Sequence, residues 1–142
     1  MKKAILQTTA ILLILAGVVA CGKENENNEI NTLKGTKWKL AGIVDAKTGV
    51  LKELEPKDCE QCYTLTFDTD STAWGKSVLN TMYIRLLPKP YINIMTEIDD
   101  SDNGDVQLFY DAIKTVDTYK VGKNELQFFY NKKKNYLLYK LI

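Results

Sequence analysis

From Leu33 onward, apolar and polar residues alternate in short runs separated by turn-forming residues, the period-of-two pattern of half-buried strands. In the first run Thr36, Trp38, Leu40, Gly42 and Val44 fall on one face, with Lys37 and Lys39 on the other. Residues 45–49 (DAKTG) read as a turn, ending on a glycine that takes a positive φ without a steric penalty. Tyr63, Leu65 and Phe67 then alternate with Thr64, Thr66 and Asp68, and Thr69-Asp70-Ser71 turns the chain into Thr72-Ala73-Trp74. A further run over 82–87 stops at Pro88-Lys89-Pro90, whose prolines lack the amide a ladder needs, and resumes over 91–97.

Residues 98–104 (IDDSDNG) form a loop in which Asp102 and Asn103 are candidate N-caps. The spacing of Val106, Phe109, Tyr110 and Ile113 places all four on one face of a helix, an apolar stripe suited to packing on a sheet. Strands are predicted over 118–121, 126–130 and 136–142, the last two as a hairpin with Lys132, Lys133 and Lys134 at its solvated tip. The whole predicts a mainly β fold: a small β-barrel-like or curved antiparallel sheet of about seven to eight strands with one α-helix (α+β).

The chain before Leu33 is built differently. Met1-Lys2-Lys3 is followed by an uncharged stretch from Ala4 to Ala20, and Ile11 to Ala20 is continuously small or apolar. This reads as a signal peptide over residues 1–20. A retained transmembrane anchor fits less well, because Gln7, Thr8 and Thr9 interrupt a stretch already marginal for a hydrocarbon layer of about 30 Å. Val18-Val19-Ala20-Cys21 resembles a lipobox, in which small or aliphatic residues precede the cysteine whose thiolate accepts a diacylglycerol group. Cys21 is thus the expected lipidation site and first mature residue, attached to the membrane by several acyl chains. Residues 21–32 form the lipidated end and a polar tether (GKENENNEIN) that lacks the apolar surface to order itself, and residues 33–142 form the folded domain. Gly22 stands where an inner-membrane retention signal would carry aspartate. Lys23, Glu24 and Glu26 resemble short charged surface-sorting signals. The expected location is the outer membrane, lipid-anchored, on the periplasmic face or the cell surface.

Charge and composition narrow the function. Of 19 basic residues, the leader removes Lys2 and Lys3, leaving 17 against 18 acidic ones. A nucleic-acid binder would need a basic surplus to displace counterions, so none is expected as a partner. The chain has no histidine, which removes the commonest general base and metal ligand and with them any Ser/His/Asp set. Neither a cofactor nor a metal site is expected. The acidic run Asp99, Asp100, Asp102 and Asp105 is oxygen-rich, but it lacks the late bidentate glutamate of a calcium-binding EF-hand loop and reads as a solvated loop before the helix.

Cys59-Glu60-Gln61-Cys62 is the motif with intrinsic reactivity. It reads either as a redox pair or as a local structural disulfide. Redox motifs place C-x-x-C at a helix start, which lowers one thiol's pKa, whereas here a strand follows. Trp38, Trp74 and Tyr91 are candidate ligand-lining aromatics for a barrel mouth, or else core residues.

Leu33-Lys34-Gly35-Thr36-Lys37-Trp38-Lys39-Leu40 resembles the L-x-G-T-x-W-x-L opening of META/HslJ-like domains, and similar openings begin lipocalin-like domains. Residues 63–68 are similar to the META family's second strand. Ile113 to Val116, Tyr119, Leu126 and Tyr136 to Tyr139 resemble its closing half. Residues 75–80 keep the Gly and Asn of the family's G-C-N segment without its Cys. The resemblance spans residues 33–142 and implies a small β-rich fold with one helix, often exported or lipid-anchored. Two functions follow as expectations. One is a non-enzymatic, lipid-anchored envelope protein binding a small apolar ligand or an envelope protein. The other is a periplasmic or surface thiol/disulfide protein acting through Cys59 and Cys62.

Overall fold

The computed structural model describes residues 32–95, 99 and 103–142. The leader, Cys21, most of the tether, Asp100 and Asp102 lie outside the described residues. The strands are β1 Lys37–Asp45, β2 Leu51–Lys52, β3 Thr64–Phe67, β4 Thr72–Lys76, β5 Thr81–Arg85, β6 Tyr91–Met95, β7 Thr118–Val121, β8 Glu125–Tyr130 and β9 Asn135–Leu141, with α1 Val106–Ile113 between β6 and β7. Eight strands pair in the order β6-β5-β4-β3-β1-β9-β8-β7, and the short β2 adds to the side of β1. Every pairing is antiparallel. The sheet curls into a half-barrel, with β6 and β7 as its two edges among the described residues. No helix among the described residues is long and apolar enough to cross a membrane.

The concave side is filled. Trp38, Leu65, Phe67, Met82, Ile84, Phe128, Leu137 and Tyr139 point inward from five strands and are almost wholly buried. The helix brings Val106, Phe109, Tyr110 and Ile113 to the same core, all four residues of the apolar stripe. Each large side chain so buried contributes about 1.5–3 kcal/mol of transfer free energy. The helix starts at Val106 behind Asp105, so its cap position lies two to three residues later than the caps expected at Asn103 and Asp102. The Asp105 carboxylate makes no cap hydrogen bond. It accepts instead from the Glu55 amide at 3.0 Å and from Lys52 Nζ at 3.2 Å, fastening the loop after β2 to the helix start.

The first strand departs from simple alternation. Leu40 pairs with Tyr139 and Gly42 with Leu138, so Ala41 is an extra residue in the ladder. A bulge of this kind shifts the phase by one. Ile43, not Val44, therefore joins the inner core beside Leu137, while Val44 is buried outside it. Gly42 is needed at this bend, because a Cβ there would sit 2.2 Å from the Lys52 carbonyl oxygen.

Polar groups inside the fold are mostly paired. The Tyr110 hydroxyl shares a 2.7 Å hydrogen bond with Ser77 Oγ and accepts from Asn80 Nδ2 at 3.3 Å, tying the helix to the β4–β5 turn. Tyr139 differs: its hydroxyl is fully buried with no hydrogen-bond partner among the described residues, and burial pushes its pKa far up.

Candidate functional site

Two surface regions bring functional side chains together. The first surrounds the cysteine pair. Cys59 and Cys62 are joined by a disulfide in the loop leading to β3. Lys39 reaches across from β1, and its ammonium donates to the Cys59 carbonyl at 2.6 Å and to the Cys62 carbonyl. Burial lowers the pKa of this ammonium, and the nearby Glu60 carboxylate acts in the opposite direction. The far end of the loop is held by the Tyr63 hydroxyl, which donates to the Glu55 carbonyl at 2.7 Å. The cysteine loop is thus pinned at both ends, and it leads into a strand, without the helix N-terminus that activates a thiol in redox motifs.

The second region is the outer face of β3 to β6. Sheet register aligns Thr66, Trp74, Tyr83 and Asn93 in one row, with Thr64, Lys76, Thr81 and Met95 in the next. The Trp74 and Tyr83 rings lie 5.1 Å apart at an interplanar angle of 58°. Trp74 is 45% exposed. Beside it is a hollow of about 310 Å³ lined by Lys37, Gln61, Thr64, Thr66, Trp74 and Lys76. Asp68 lies close to the same indole; its carboxyl is held below the usual range first by the Thr72 hydroxyl, with Trp74 a smaller contributor.

The three aromatic candidates from the sequence do not share a site. Trp38 is wholly buried, and its indole N–H donates to Thr36 Oγ1 at 2.8 Å. Trp74 lies on the outer face. Tyr91 is exposed on edge strand β6, with the Arg85 guanidinium 5.5 Å from its ring centroid. The expectation of a shared barrel mouth is corrected, because α1 and the core side chains occupy the concave side where that mouth would open. Of the acidic run, Asp105 is committed to Glu55 and Lys52, and no metal-holding cluster occurs among the described residues. Lys37, Lys39, Thr64, Thr66 and Lys76 were missed as site residues. The sole signal for them is their outward parity on neighbouring strands, which becomes a cluster only once the register is known.

The fold thus defines a class: a helix-filled antiparallel half-barrel whose convex face carries Trp74 and Tyr83 among lysines and threonines. A protein of Tannerella forsythia named "Putative lipoprotein" is 48% identical over 139 residues, covering 98% of this chain and 96% of its own. The chain belongs to the same family as that protein. The crystal structure of a DUF4847 family protein from Bacteroides vulgatus shares the fold, with a TM-score of 0.55 and 16% identity over 76% of this chain and 93% of its own. No family model matches the chain. The likeness to META/HslJ-like and lipocalin-like domains stands at the level of a β-rich fold.

Proposed function

We propose that the protein is a lipid-anchored, non-enzymatic component of the cell envelope that binds through the outer surface of its half-barrel. The observation that carries the anchor is Val18-Val19-Ala20-Cys21 behind a basic and then apolar leader, in a chain whose relative of 48% identity bears the name of a lipoprotein. Acyl chains on Cys21 would hold the domain at the outer membrane, and the polar tether would give it reach. The filled concave side favours binding at the convex face over enclosure of a small apolar ligand, since a ligand pocket needs an open interior. The META/HslJ-like resemblance belongs to this reading, as such domains are frequently exported or lipid-anchored.

The Cys59–Cys62 disulfide acts in this reading as a local staple. The carbonyls of both cysteines hold Lys39, so opening the loop would strand a half-buried ammonium. The anchor is tested by feeding cells a clickable palmitate. The wild-type protein should be labelled and partition with membranes, and Cys21→Ser should accumulate as unlabelled precursor. Labelling of Cys21→Ser, or a soluble unlabelled wild-type protein, would discard the anchor.

A further inference from the structure

We infer that the hollow beside Trp74 is a binding site for a free acidic polysaccharide, one uronic-acid unit at a time stacked on the indole. This rests on the outer-surface binding proposed above and names its ligand class. The axial C–H groups of a sugar ring carry slight positive charge and pack against the negative face of an exposed aromatic ring. Trp74 offers such a face, which Tyr83 supports from the neighbouring strand. Around it Thr64, Thr66 and Gln61 supply hydroxyl and amide groups for sugar hydroxyls. A few polar groups placed about an apolar surface is the arrangement that orients a small ligand.

The charge selects an acid. Lys37 and Lys76 both line the hollow, and among the described residues no carboxylate lines it; the Asp68 carboxylate, close to the indole, is engaged by the Thr72 hydroxyl. A carboxylate on the sugar would therefore meet two ammonium groups and form charge-assisted hydrogen bonds. The next row of the same face carries Arg85 opposite Thr72, whose hydroxyl donates to Asp68, so the positive charge at the hollow is that of Lys37 and Lys76. A volume of about 310 Å³ accommodates one sugar unit while leaving both ends of a chain in solvent.

The position favours a chain free in solution over a membrane glycolipid. The Asp70 carboxylate, in the β3–β4 turn, accepts from the Leu33 and Lys34 amides at 2.8 and 2.9 Å and so fastens the start of the domain there. Gln61, Thr64 and Lys76 lie at the other end of that hairpin. The hollow thus runs along the hairpin from Thr66 and Trp74 to Thr64 and Lys76, on the side away from the turn that holds the domain start.

The test uses the full chain, purified with its leader processed and held in detergent. It is titrated with an α-1,4-linked galacturonate hexamer and, separately, with neutral maltohexaose, at low and at high salt. Trp74 should become shielded from acrylamide quenching by the acidic hexamer, whereas buried Trp38 should not respond. The hexamer should bind about tenfold more tightly than maltohexaose at low salt, and this preference should shrink at high salt as the charges are screened. Trp74→Ala should weaken binding about fivefold or more. Lys37→Gln combined with Lys76→Gln should abolish the preference for the acidic chain while retaining weak stacking. Equal affinity for both hexamers, binding unchanged by Trp74→Ala, or binding to lipopolysaccharide vesicles alone would overturn the inference. Palmitate labelling is scored on the same preparations. Lost sugar binding with labelling intact removes this site and leaves the anchor standing, and lost labelling with sugar binding intact does the reverse.

Discussion

Leu65 and Thr66 are consecutive residues of β3, and each is paired with a tryptophan on a neighbouring strand: Leu65 with Trp38 of β1, Thr66 with Trp74 of β4. Successive strand residues point to opposite faces, so the two indoles end on opposite sides of one sheet. Trp38 is 0% exposed and Trp74 is 45% exposed. The inner indole is surrounded by apolar side chains, with its N–H satisfied by Thr36. The outer one is ringed by lysines and threonines. The same residue type serves cohesion on one face and contact on the other, and parity in the ladder alone assigns the roles.

The strongest way to break this contrast is Trp38→Ala, which removes the largest side chain of the inner face. A loss of about 3–5 kcal/mol is expected in urea unfolding, the range for deleting a buried aromatic. A loss under about 1 kcal/mol would mean that the concave side is loosely packed. Gly42→Ala attacks the phase of the inner face directly, since its methyl would collide with the Lys52 carbonyl at the bulge. It should cost about 1–3 kcal/mol, the range for overpacking, and should expose amides of β1 and β2 to hydrogen exchange.

Tyr139→Phe sharpens the comparison in the opposite direction. The Tyr139 hydroxyl is the one fully buried inner-face tyrosine oxygen without a partner among the described residues. Removing it should raise the unfolding free energy by about 1–2 kcal/mol, because an unsatisfied buried polar group no longer has to be desolvated. A decrease in stability would show that a water meets the hydroxyl.

Acid separates the faces by chemistry. The outer turns hold four carboxylates below their ordinary value of 3.8: Asp45 first through the Thr48 amide, Asp68 through the Thr72 hydroxyl, Asp70 through the Thr32 hydroxyl and Asp105 through the Glu55 amide. A carboxyl whose folded pKa is depressed contributes stability that is complete above its unfolded pKa and fades as pH falls through the folded one. Stability should therefore be flat in this respect above about pH 5 and decline below about pH 4. Asp70→Asn and Asp105→Asn should each reduce the decline, as measured by thermal melts across pH. The smallest effect is expected for Trp74→Ala, within about 0.5 kcal/mol of wild type in urea unfolding, as for a surface residue outside the core. A larger loss would place Trp74 with the cohesive set.

Much of the fold was legible in the sequence. Eight runs of alternation and one helical stripe correspond to β1, β3 to β9 and α1, because burial of one face writes its period into the residues. The short β2 went unseen: two residues carry no period, and Leu51–Lys52 pairs only because β1 lies alongside. The bulge was hidden as well. The alternation of Thr36 to Val44 puts Val44 on the inward face, and only the pairing with β9 shows Ala41 as the extra residue. Trp38 shares the apolar face of its run, but Trp74 and Tyr91 had no assigned face, since an aromatic residue in a strand is equally suited to either face until the partner strands are known.

The residue order by itself determined the curved antiparallel sheet, its single helix and the turns between the elements, all of which depend on neighbours near in the chain. Tertiary structure alone decided that α1 fills the concave side, that Lys39 closes over the carbonyls of Cys59 and Cys62, and that Lys37, Thr66 and Trp74 meet at one hollow. Lys37 and Lys39 are twenty or more residues from the groups they meet. Their proximity depends on strand order and register, which are set by the packing of the whole sheet and not by any local pattern.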